Sequence, residues 1–211
     1  MDADAIELRV LGCLLEKQRT TPDQYPLTLN ALRLACNQTT NRDPIVDYDE
    51  REIHDALQRL ARRGWTRVAS GPGSRAAKYR QLFDQELGLE RAATAVLCVL
   101  MLRGAQTPGE LKQRTERLHR FDDLGDVHAT LDVLIARDLV ERLDRRPGQK
   151  EERYRHLLGS ADAEHTETPA HADTATAAAP TDERLEGRVE VLEAEVERLR
   201  EAVRTLEARL G

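Results

Sequence analysis

A chain of 211 residues, 33% charged and only 3% aromatic, is long enough for one or two small domains with a real core, and its make-up suits a helical soluble protein. So few aromatics leave few platforms on which single-stranded nucleic acid could stack. The net charge of −6 is uneven: residues 159–211 hold 6 Lys+Arg and 13 Asp+Glu, so the rest holds 26 and 25 and is nearly neutral, less basic than a dedicated DNA-binding domain usually is.

Met1, Asp2, Ala3 and Asp4 lack the basic start of a secretory signal. Ala5 to Lys17 reads as a first helix, with Ile6, Val10 and Leu14 on one apolar face and Leu11 and Leu15 beside them. Thr20 to Pro26 is a loop punctuated by two prolines. Leu27 to Asn37 reads as a second helix, with Leu29, Leu32 and Cys36 inward. Gln38 to Pro44 is polar throughout and reads as an exposed loop offering Gln38, Asn41 and Arg42. A third helix runs from about Asp49 to Arg63, with Gly64 closing it.

From Ile53 to Phe83 the chain sets a grammar that it repeats from Val127 to Leu158. Ile53/Val127, His54/His128, Leu57/Leu131 and Leu60/Leu134 share an offset of 74, while Tyr79/Tyr154, Arg80/Arg155 and Leu82/Leu157 share one of 75. The extra residue falls in a turn, Ser70-Gly-Pro-Gly-Ser74 in one copy and Arg145-Arg-Pro-Gly148 in the other, where insertion is cheap. An amphipathic helix followed by a two-stranded hairpin is the second half of a winged helix-turn-helix.

The second copy opens with Gly88 to Leu102, apolar on nearly every face and therefore expected to be buried between the two halves. Thr107-Pro-Gly-Glu110 is a capping box for a helix to about Arg120, carrying Lys112, Arg114, Arg117 and Arg120. The expected fold is mainly α with small β-hairpins. Two tandem winged-helix domains, 1–84 and 85–158, are followed by a disordered linker at 159–182 and a coiled-coil helix at 183–211.

The last segment has the cleanest pattern. Leu185, Val189, Leu192, Val196, Leu199, Val203 and Leu206 alternate steps of four and three, with Val at a and Leu at d, which favours a parallel homodimer; a single helix folding back on the body is the alternative. Arg188 to Glu193 and Glu195 to Arg200 are attractive across such a pair.

Catalytic signatures are missing: there is no phosphate-binding loop, nucleophile elbow, metalloprotease helix or dinucleotide turn. No apolar run is long enough for a membrane span. Cys13, Cys36 and Cys98 are odd in number and widely spaced, which points to core positions in a reducing cytoplasm and to no metal or cofactor. The expected function is non-enzymatic. Arg67, Arg75, Lys78 and Arg80 in the first wing would hold duplex DNA, with Arg145, Arg146, Lys150, Arg153 and Arg155 in the second and Lys112 and Arg114 on the helix between. Such a protein could serve as a transcriptional regulator. Against this, Asp47 to Asp55 holds five acids and Asp122 to Asp132 four, where a reading helix would need bases; a protein–protein adaptor is the alternative.

Glu16-Lys-Gln18, Thr20-Thr-Pro-Asp-Gln-Tyr-Pro-Leu27, Ala35-Cys-Asn-Gln38, Asn41-Arg-Asp-Pro44, Leu102-Arg-Gly-Ala-Gln-Thr-Pro-Gly-Glu-Leu111 and Pro147-Gly-Gln-Lys150 resemble the YceH-like family of bacterial proteins over about residues 6–158. The resemblance implies a tandem winged-helix fold and a cytoplasmic protein with no assigned activity, and it supplies no catalytic residues. One departure is Thr39, where similar proteins tend to carry a lysine; its loss removes one phosphate contact from that loop.

Overall fold

The computed structural model describes residues 2–70, 76–145 and 151–159. Helix α1 (Ala5–Thr20) starts at a reciprocal cap: the Asp4 carboxylate accepts from Glu7 N at 2.8 Å, and Glu7 accepts from Asp4 N at 2.9 Å. It runs a turn beyond the expected end. It is also buried on more than one stripe, because Leu8, Gly12 and Cys13 lie inside together with Val10, Leu11, Leu14 and Leu15. After a turn of 3-10 helix, β1 (Leu27–Thr28) and α2 (Leu29–Cys36) occupy the stretch expected to be one helix. The helix begins two residues late because Thr28 is its cap, accepting from Ala31 N at 3.2 Å, while Leu27 pairs with Tyr79. Helix α3 (Glu50–Arg62) carries a capping box at Asp49 and Glu52. Gly64 closes it at φ +77°, with Gly64 N and Trp65 N donating back to Ala61 O and Leu60 O.

Strands β2 (Thr66–Val68) and β3 (Lys78–Gln81) form an antiparallel hairpin, and β1 adds to its other edge to give the order β1-β3-β2. A single turn, α4 (Phe83–Glu86), then sets fully buried Phe83 edge-on to Trp65, with ring centroids 5.0 Å apart. Helix α5 (Arg91–Arg103) has every residue from Ala93 to Leu102 buried, as its all-round apolar character requires, and it packs along α1. Helix α6 (Pro108–Thr115) starts at the Thr107 capping box but stops short of Arg120. The chain turns there because Leu118 N and His119 N both donate to Thr115 O. Helix α7 (Leu124–Ala136), capped by Asp123, leads to the antiparallel pair β4 (Val140–Leu143) and β5 (Arg153–His156).

The duplication is carried through to the hydrogen bonds. Trp65 N to Leu60 O and Leu82 N to Trp65 O recur as Leu139 N to Leu134 O and Leu157 N to Leu139 O. The Leu27↔Tyr79 pairing recurs as a Gln106↔Tyr154 bridge, and Gly64 is answered by Asp138 at φ +53°. Element order α1, β1, α2, α3, β2, β3 therefore reappears as α5, bridge, α6, α7, β4, β5. All described residues belong to one compact, mainly helical unit. No helix among them is long and apolar enough to cross a membrane. The expected linker beyond residue 159 and the coil residues Leu185, Val189, Leu192, Val196, Leu199, Val203 and Leu206 lie outside the described residues.

Candidate functional site

Strand periodicity sorts the first hairpin by face. Leu27, Thr66, Tyr79 and Gln81 are buried, so one face of the three-stranded sheet closes the core. The alternate positions place Arg67, Lys78 and Arg80 together on the outer face, with Arg67 directly opposite Arg80. Like charges in that register repel. Arg67 and Lys78 are exposed, and Arg80 Nε is buried without a hydrogen-bond partner among the described residues. No acidic residue occurs between Thr66 and Arg80. Arg75 lies outside the described residues.

The second hairpin differs. Glu152 pairs with Arg142 at 3.4 Å and Arg145 at 3.6 Å, Glu141 pairs with Arg155, and the Arg153 guanidinium donates to Ala105 O. Arg146 and Lys150 lie outside the described residues. On α6, Lys112 Nζ donates to Asp122 O at 2.7 Å, while Arg114 meets Glu110 at 3.2 Å and Gln106 Oε1. The Arg–Glu pairs among these contribute only about 0–1 kcal/mol each, but they cancel positive charge locally.

The loop between α2 and α3 holds a correction. Gln38 is half-buried and Asn41 exposed, but the Arg42 side chain is wholly buried rather than presented to solvent. Its guanidinium reaches back to Glu16 with both arms, at 3.1 and 2.6 Å, and donates to Ala35 O, Asn41 O and Gln38 Oε1. A charge so far inside is tolerated because every arm of the guanidinium is satisfied. Burial alone would raise the Glu16 carboxyl, but the hydrogen bonds and charge of Arg42 outweigh that and hold it below the ordinary carboxylate value.

Above this pair lies a pocket of about 290 Å³ between the end of α1, the α2–α3 loop, α5 and α6. Lys17, Arg103, Arg114 and Arg117 line it, with Gln38 and Asn41 on the loop side. The sequence placed Arg114 and Arg117 on one basic helix but gave Lys17 and Arg103 no role. Their convergence is a tertiary fact, although Lys17, Gln38, Asn41 and Arg103 all sit in segments that carry the family resemblance. His54 is half-buried and bonded to Gln58 at 2.9 Å, and His128 is exposed; neither faces this pocket.

Residues 3–149 match the model of a family described as "Protein of unknown function, DUF480". The chain belongs to this family. It is also 45% identical, over 98% of its length and 97% of the relative's, to a UPF0502 protein of Enterobacter sp. (strain 638). The resemblance to YceH-like proteins is consistent with both findings. Within DUF480 the match spans both copies of the repeat up to the second hairpin loop, and so takes in the sheet face and the pocket together.

Proposed function

We propose that this member of the DUF480 family is a non-enzymatic protein built of two tandem winged helices that binds duplex DNA through the first of its two wings. The repeated order of helix, edge strand, two helices and hairpin supports the fold reading. The observation that carries the function is the outer sheet face, where Arg67, Lys78 and Arg80 stand together with no acid beside them in sequence. Holding like charges in register disfavours the sheet unless an anion lies across it, and a phosphate backbone supplies one. The paired second hairpin plays a smaller part.

The test is fluorescence anisotropy of a random duplex over a salt series. Three phosphate contacts give a slope of about −3 in log affinity against log salt. Arg67→Gln with Lys78→Gln should reduce that slope by about 2. No binding at 50 mM salt would end the proposal.

A second reading rests on the start of α7, where half-exposed Leu124 sits among exposed Asp122, Asp123 and Asp126. That mix of one apolar group and three acids suits docking to a basic protein surface. Charge reversal at the three aspartates should abolish capture of such a partner and leave DNA binding intact.

A further inference from the structure

The charge in the pocket at the end of α1 does not balance. Four cationic side chains line it, drawn from three helices and the turn after α6: Lys17, Arg103, Arg114 and Arg117. The one lining acid, Glu16, is already satisfied, with both oxygens held by Arg42 and one of them 3.2 Å from Lys17 Nζ. Glu110 offsets Arg114. That leaves Arg103, bonded to the neutral Asn41 amide oxygen, and Arg117, exposed and without an ion pair among the described residues. Burial pushes the Arg103 guanidinium down from its ordinary value, and the charges of Arg114 and Arg42 push the same way. Positive charge is thus crowded together in a concavity, where field lines concentrate.

Guanidinium forks match the several oxygens of a phosphate better than a single point charge does, and a phosphate carries enough negative charge to answer more than one of them. At about 290 Å³ the pocket is at the small end of the range for small-molecule sites. We propose that it binds a small ligand through a phosphate or diphosphate group gripped by Arg103 and Arg117, with the Glu110-paired Arg114 beside them. Such a ligand would bridge the two copies of the repeat, since Lys17 and Asn41 belong to one and the three arginines to the other. The proposal does not rest on DNA binding by the sheet face.

Inorganic pyrophosphate is the probe, applied to the full chain in thermal melts at ionic strength matched with sodium chloride. Wild type should gain roughly 5–10 °C in Tm at a hundred times Kd, by mass action on the folded state. The Arg67→Gln/Lys78→Gln protein should show the same rise. Arg103→Gln/Arg117→Gln should lose it, with Kd by calorimetry at least tenfold weaker. Should that double variant fail to fold, Arg117→Gln alone serves, because its side chain is exposed. A rise no larger than that given by chloride would overturn the proposal, as would an equal rise in the arginine variant. Loss of duplex binding by the arginine variant, with no response of wild type to pyrophosphate, would reassign the pocket to backbone phosphate and also overturn it.

Discussion

Glu16 and Arg42 show how much a single residue's position can depend on a partner far along the chain. Arg42 lies in a run of polar residues that reads as exposed, yet its side chain is buried because a carboxylate 26 residues earlier is aimed at it. Removing one partner of such a pair leaves the other charge buried and costs about 3 kcal/mol. Glu16→Gln should therefore lower stability by about that much at pH 7. The Glu16 carboxyl is held below its ordinary value in the folded protein. Its contribution is thus complete above the unfolded value of about 4.3 and is lost as pH falls through the lower folded one. Urea melts of both proteins should show a constant gap from pH 8 to about 5 that narrows below about 4. A gap unchanged at pH 3 would mean the pair is not what supports the loop.

Among the elements, α1 and α5 set the geometry of everything else, and their approach turns on Gly12. A Cβ built there would lie 2.8 Å from Leu102 Cδ2 and 2.9 Å from Leu102 Cγ, on a helix that is itself buried on all sides. Alanine in a helix interior is normally better than glycine by about 0.5–1 kcal/mol. Here overpacking, at about 1–3 kcal/mol, should outweigh that, so Gly12→Ala is expected to lower Tm by a few degrees in calorimetry. A raised Tm would mean that the two helices separate without cost. Helix–helix closeness of this kind is not visible in a pattern, and the same divide explains what could be read beforehand. Helices α3 and α7, both hairpins and the Thr107 cap were legible because periodicity and capping are local. Strand β1 was not, because Leu27 and Thr28 extend only in answer to Tyr79 and Lys78. The end of α6 was missed because Thr115 draws the chain into a turn. The three sheet-face bases were readable from period two, but the pocket joins Lys17 to Arg117 across a hundred residues and needed the fold.

At the scale of the whole molecule the open question is how many copies act together. DNA-binding proteins commonly meet duplex as dimers, since two-fold symmetry doubles the phosphate contacts. A nearly neutral body with one basic sheet face has more to gain from that than a strongly basic one. Seven apolar positions from Leu185 to Leu206 keep steps of four and three without a slip, with Val and Leu in the order that favours two parallel strands. With 13 acids against 6 bases in 159–211, pairing of two copies through this segment would depend on salt. Deleting 183–211 should therefore convert a dimer to a monomer by light scattering. It should also weaken duplex binding and halve the salt slope, while leaving the Tm rise with pyrophosphate in place, since every residue of that pocket lies in 16–118. If the full-length mass is already that of one chain, the heptads do not pair with a second copy and the proposed DNA contacts are those of a single sheet face.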